Sequence, residues 1–198
     1  MPIPFPKTAY LTPSHYIDCN HPLIVEKAAA LVRGVVSEME RAKIYFEFVR
    51  DAIKHSVDFK QNPVTCRASD VLLHGTGYCY AKSHLLAALL RANGIPAGLC
   101  YQRLSVGESG PPYCLHGLNA VFLEEFGWYR MDARGNKVGI ATEFCPPHEV
   151  LAFAIHEPEE RDLPEIWPEP LPIVTATLEA YNDVELVLEN LPDIPLIN

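Results

Sequence analysis

A cysteine, a histidine and an aspartate stand in this order in the chain, each beside a segment that can hold it fixed. Cys79 lies in Gly77-Tyr78-Cys79-Tyr80-Ala81-Lys82-Ser83-His84-Leu85-Leu86, where a glycine turn becomes a helix. A helix N-terminus favours negative charge, which suits a nucleophilic thiolate. His116 opens the apolar run Leu118 to Leu123, and Asp132 closes the run Trp128 to Met131. Acyl transfer by a thiol needs a thiolate, a proton shuttle and a carboxylate that fixes the imidazole tautomer, and these three residues supply the set. It also needs donors aimed at the oxyanion that forms when a carbonyl is attacked. The Cys79 N–H at the helix start is one. The second is open among His74, Tyr78, Asn62 and Gln61.

The elements that must position these groups can be read from hydrophobic periodicity and turn residues. The first twenty residues are rich in proline and aromatics and read as an extended arm, with a strand near Thr8 to Leu11. Leu23, Ile24, Ala28, Leu31 and Val32 share one helical face, so a first helix runs from Pro22 to Val32 and stops at Gly34. Ser37-Glu38-Met39-Glu40 reads as a capping box for a second helix to about His55. Ser69 can cap a short helix, Asp70 to Leu73, ahead of the His74-Gly75-Thr76-Gly77 loop. The Cys79 helix carries the stripe Leu85, Leu86, Leu89 and Leu90 and ends at Asn93-Gly94, with Pro96 beyond. Strands follow over Ala97 to Leu104, Leu115 to Leu123 and Trp128 to Asp132, the last two joined by the tight turn Glu124-Glu125-Phe126-Gly127. Such a hairpin brings His116 and Asp132 onto neighbouring strands. The loop Ser105 to Pro112 is placed to rim the site. Phe144 to Ile155 reads as a further strand. Beyond Glu157 an acidic, proline-punctuated stretch leads to helical patterns over Leu171 to Tyr181 and Asp183 to Leu191.

The stretch from Ser69 to Asp132 resembles the transglutaminase-like superfamily with its papain-like Cys-His-Asp core, in the form of a bacterial-type stand-alone domain. The resemblance rests on Cys79 at a helix start, His116 on a following strand and Asp132 on the next. Leu89-Leu90-Arg91-Ala92-Asn93-Gly94-Ile95-Pro96-Ala97 and the Gly127-Trp128 pair add to it. It implies an α+β fold, a central helix bearing the nucleophile packed on an antiparallel sheet. It also implies Cys79 as nucleophile, His116 as base and Asp132 as orienter. The chain departs from the family pattern at Tyr80, directly after the cysteine, and at Leu118, two residues after the histidine. Because the superfamily includes acyl transferases, peptidases, amide hydrolases and inactive members, the fold does not choose the reaction. The expected function is thiol-dependent acyl transfer or hydrolysis at an amide or peptide bond. The alternatives are an inactive fold that binds peptides or proteins, and transfer from a thioester donor to a small amine.

Other residues have competing readings. His84, five residues past Cys79, is turned away from it on a helix and reads as a packed histidine. Lys82, one turn past Cys79, could lower the pKa of the thiol, but reads more strongly as solvated. Arg134 or Asn136 could hold a substrate carboxylate, but Asp132-Ala133-Arg134-Gly135-Asn136-Lys137 reads more strongly as a polar turn. Tyr78, Tyr80, Tyr101 and Trp128 are candidates for pocket walls, and core packing accounts for them equally well. Cys114 shares a strand face with His116 without being a nucleophile.

Bulk composition bounds the partners. At 198 residues and 48% hydrophobic, the chain fits one domain, with a core at about 22–156, an N-terminal arm at 1–20 and an acidic, helical extension at 157–198. A net charge of -9 and the lack of a basic run argue against nucleic acid and anionic membrane as the main partner. The triad chemistry and the family resemblance imply a peptide or small amide or amine as substrate. No run approaches a membrane span, and Met1-Pro2-Ile3-Pro4-Phe5-Pro6 lacks signal-peptide character, so a cytoplasmic location is expected. Under that expectation Cys19, Cys66, Cys79, Cys100, Cys114 and Cys145 stay reduced, and none is spaced for zinc. No metal or other cofactor is expected. Oligomeric state is left open.

Overall fold

A computed structural model describes residues 5–107 and 109–195. The arm carries a 3-10 helix over Lys7–Leu11 where a strand was expected. A side chain rather than a strand ladder anchors it: buried Tyr10 donates to the Ile166 carbonyl at 2.8 Å and meets Trp128 edge-on. Helix α1 (Pro22–Leu31) starts with proline at a position where its missing N–H costs nothing, and the His21 ring accepts from Leu23 N. Helix α2 (Glu38–Ala52) starts at Ser37, whose hydroxyl accepts from Glu40 N at 3.3 Å as the capping box predicts. It ends before His55, because Lys54–His55 forms a short strand, β1.

Helices α3 (Ser56–Phe59) and α4 (Ala68–His74) follow, then β2 (Thr76–Gly77), which pairs in parallel with β1 and sets His55 opposite Gly77. Ser69 does not cap α4. It lies inside the helix, and its N–H and hydroxyl both donate to the Asp18 carboxylate, at 3.0 and 2.6 Å. The cap therefore comes from far upstream, where a negative charge sits favourably at a helix N-terminus.

Helix α5 (Cys79–Ala92) is the centre of the molecule, with every residue from Cys79 to Arg91 buried. Its apolar residues join one cluster with Ile24 and Ala28 of α1 and Phe46 and Val49 of α2. Its polar side chains are buried too, so each must find a partner. Ser83 donates to the Cys79 carbonyl, His84 Nδ1 bonds the Cys66 carbonyl at 2.7 Å, and Lys82 donates to the Ile53 carbonyl at 2.6 Å. Arg91 reaches the carbonyls of Thr12, Ala97 and Pro168, tying the arm, the sheet and the C-terminal segment to one guanidinium. The helix stops at Gly94, whose φ of +73° suits glycine.

Strands β3 (Ala97–Ser105), β4 (Tyr113–Leu123) and β5 (Gly127–Met131) form an antiparallel sheet close to the predicted boundaries. The turn into β5 uses Gly127 at a φ of +74°. One sheet face meets α5, where Asn119 donates to the Ser83 carbonyl. Tyr10, Cys100, Leu118, Ala120 and Ile166 pack together on the other. The predicted strand Phe144 to Ile155 is instead a small hairpin of β6 (Glu143–Cys145) and β7 (His148–Val150). The intervening Pro146-Pro147 has no N–H groups to continue a ladder. Strand β8 (Arg161–Asp162) gives the main sheet the order β5-β4-β3-β8. Helices α6 (Pro172–Ala180) and α7 (Val184–Glu189) close the chain, and Val174, Leu178, Val184 and Val187 enter the same core as α5. No helix among the described residues is long and apolar enough to cross a membrane.

Burial pushes His84 down to about 4 despite the Cys66 carbonyl, and Arg91 adds to the effect. The native ring stays neutral while an unfolded histidine protonates near 6.5, so its contribution is complete above that value and is lost as the pH falls toward 4. His84→Gln should reduce the loss of unfolding free energy between these pH values by about 3 kcal/mol, measured by urea denaturation across the range. An unchanged pH slope would contradict this assignment.

Candidate active site

Cys79 is the first residue of α5, so its N–H has no carbonyl one turn back within the helix. It lines a cleft of about 480 Å³ together with His55, Tyr78, His116, Arg134 and Phe153, among others. The residue is 7% exposed, and its sulfur accepts from Gly117 N at 3.4 Å. The sulfur comes this close to β4 because Gly117 has no side chain. A Cβ there would lie 2.9 Å from Tyr80 Cδ1 and 3.1 Å from Tyr80 Cα.

The β4–β5 register pairs Asn119 with Met131, so Asp132, one residue past the strand, stands diagonally across from His116. His116 Nε2 and Asp132 Oδ2 are 2.7 Å apart, and both side chains are nearly sealed from solvent. The remaining carboxylate capacity is filled by Arg134 N on Oδ1 at 3.0 Å and Ala152 N on Oδ2 at 3.1 Å. Phe153 meets the imidazole edge-on and fixes its plane. With Nε2 bound to Asp132, Nδ1 is the nitrogen left for the thiol.

The charges follow from these contacts. Burial alone would lower the His116 pKa, but Asp132 and the Cys79 sulfur outweigh it and push His116 up to about 10. Burial would raise Asp132, but His116 and the two backbone N–H groups hold it below the usual carboxylate range. This arrangement can keep an imidazolium beside a sulfur and return a proton to a leaving amine.

The predicted second donors fall in different places. Tyr78 lines the cleft, but its hydroxyl donates to the Val184 carbonyl, so it is committed to holding α7. Asn62 is likewise committed: its amide donates to Asp183 Oδ2 at 3.0 Å and its carbonyl accepts from Val184 N at 2.9 Å, capping α7. Gln61 is exposed, and His74 ends α4 as an exposed residue that does not line the cleft. Arg134 lines the cleft, contrary to the preference for a plain polar turn, although Gly135 at a φ of +119° does supply a bend. Its guanidinium holds Asp58 through two bonds of 2.8 and 3.2 Å. Asn136 is structural, accepting from Thr142 N. Val106 and Gly107 of the predicted rim loop reach the cleft, and Glu108 lies outside the described residues.

Two residues correct or extend the sequence reading. Lys82 is 1% exposed rather than solvated, and burial pushes it down to about 7 against the pull of Asp132. It points away from solvent to bond carbonyls at the end of α2. His55 was not singled out at all, because a two-residue parallel pairing with Gly77 leaves no periodic signal in the sequence. The six cysteines are unpaired, and among the described residues no group of three or more His, Cys, Asp or Glu side chains is placed to hold a metal.

Residues 26–133 match the transglutaminase-like superfamily, and the chain belongs to it, a family of thiol-based enzymes. The structure is similar to a candidate cysteine protease from Cytophaga hutchinsonii, with a TM-score of 0.51 and 20% identity, over 64% of this chain and 41% of that one. It is also similar to the periplasmic domain of TgpA from Pseudomonas aeruginosa, with a TM-score of 0.49 and 21% identity, over 64% of this chain and 46% of that one. The chain thus matches less than half the length of either neighbour. No curated protein matches it.

Gly117→Ala tests the close approach of β4 to the helix start. Forcing a methyl against the Tyr80 backbone should cost about 2 kcal/mol and slow alkylation of Cys79 by iodoacetamide. Thermal denaturation and peptide mass spectrometry would read the two effects, and wild-type values for both would contradict the packing.

Proposed function

We propose that the protein is a thiol enzyme acting on an amide or peptide bond, with Cys79 as nucleophile, His116 as acid and base, and Asp132 as the group that orients and charges the imidazole. The observation that carries this reading is the buried 2.7 Å contact between His116 and Asp132 beside a sulfur at a helix N-terminus. Thiolate attack on the carbonyl carbon moves the C=O electron pair onto oxygen. Collapse of the tetrahedral species breaks the C–N bond, and His116 protonates the departing amine, leaving a Cys79 thioester. Water or a second amine gives a proton to the now neutral His116 as it adds to the thioester carbonyl, and collapse breaks the C–S bond, releasing the acyl product and restoring the thiolate–imidazolium pair.

The cleft has the volume of a small-ligand or peptide side-chain site, and Leu104, Val106 and Leu191 are among its apolar walls. This favours hydrolysis, or transfer to a small amine, over cross-linking of two folded proteins. The second reading, a peptide-binding module without turnover, uses the same cleft and differs in having an unreactive thiol.

The pH dependence of iodoacetamide alkylation separates the two without knowledge of the substrate. In the wild type, Cys79 should be alkylated near neutral pH about tenfold faster, or more, than in His116→Ala. Equal rates in the two proteins, followed by peptide mass spectrometry, would overturn the enzymatic reading.

A further inference from the structure

The second oxyanion donor has a claimant in His55, a residue outside the set that the sequence offered. The β1–β2 pairing sets this residue opposite Gly77, two positions before the nucleophile, and its ring lines the same cleft as Cys79 and His116. The residue is buried, with its ring against the edge of Tyr78. Its Nδ1 is sealed in the interior without a hydrogen-bond partner among the described residues. The Asp58 carboxylate stands 3.7 Å off, too far for a hydrogen bond, and its oxygens are already held by Arg134 and Lys137. Nothing therefore ties the ring proton to Nδ1, and Nε2 is the nitrogen that can serve the cleft.

Resting on the acyl-transfer reading above, we propose that His55 is the second oxyanion donor, using a neutral imidazole Nε2–H alongside the backbone N–H of Cys79. Its surroundings keep it neutral: burial, then Arg134, with Lys82 and His116 adding to them, push it down to about 3, and Asp58 only partly opposes this. A neutral ring offers one N–H throughout the working pH range and does not compete with His116 for protons. Donors preorganised in a water-poor site act on charge that develops only during reaction, so His55 should matter for attack on a carbonyl and not for reactions without an oxyanion.

That distinction supplies the test. With p-nitrophenyl acetate, the Cys79 thiolate adds to the carbonyl carbon, an oxyanion forms, and collapse expels p-nitrophenolate to leave an acetyl thioester. With iodoacetamide, sulfur displaces iodide at a saturated carbon and no oxyanion forms. His55→Ala should slow acetylation of Cys79 by about 10²- to 10³-fold while alkylation stays within about threefold of wild type. His55→Asn, which keeps an N–H donor, should recover at least part of the acetylation rate. Unchanged acetylation in His55→Ala, or a parallel fall in both reactions, would overturn the assignment, the second result marking His55 as structural. A wild type that is alkylated readily but never acetylated would leave the activated thiol standing and also overturn the oxyanion role. A wild type inert to both reagents would instead defeat the acyl-transfer reading itself.

Discussion

Helix α5 is buried from Cys79 to Arg91, and three of its buried polar side chains, Lys82, His84 and Arg91, reach backbone carbonyls outside the helix, which fixes it in rotation and depth. A purely apolar helix could turn or slide at modest cost, whereas withdrawing Arg91 or Lys82 would strand carbonyls away from water at roughly 1–3 kcal/mol each. The anchors lie on different parts of the chain: Ile53 after α2, Cys66 before α4, and Thr12, Ala97 and Pro168 around the sheet. Cys79 at the N-terminus of this helix therefore inherits a position set by the whole molecule.

The cleft is built as layers of charge. Asp132 is saturated by one imidazole and two backbone N–H groups, so it can hold His116 charged without drawing on solvent. Arg134 turns its backbone toward Asp132 and its guanidinium toward Asp58, which also takes Lys137. These contacts place cations around His55 and burial keeps it uncharged, while His116, facing a carboxylate, gains a proton. Two histidines in one cleft are driven to opposite states by their neighbours, which is how one site can hold both a proton donor and a neutral polar group.

The sequence made the local parts of this design legible. Glycine before Cys79, the Asn93-Gly94 stop, the Ser37 cap and the Gly127 turn are written within a few residues of the structure they produce. Through that turn the diagonal relation of His116 and Asp132 was also within reach. What stayed hidden depends on pairings between distant segments. Asp18 caps α4 across 51 residues, Asn62 caps α7 across 122, and Tyr10 holds the arm through Ile166, displacing the expected strand. Lys82 and His55 were misread or missed for the same reason. A lysine on a helix reads as solvated unless the carbonyls that receive it are known, and β1 is too short to show an alternating pattern.

The protonation state of His116 tests the account most directly, because the proposed chemistry rests on an imidazolium held by Asp132. Nitrogen-15 NMR of the histidine rings near pH 8 should find both nitrogens of His116 protonated in the wild type, and the signal should move toward the neutral form in Asp132→Asn. A His116 that is already neutral at that pH in the wild type, unmoved by the Asp132 substitution, would contradict the account.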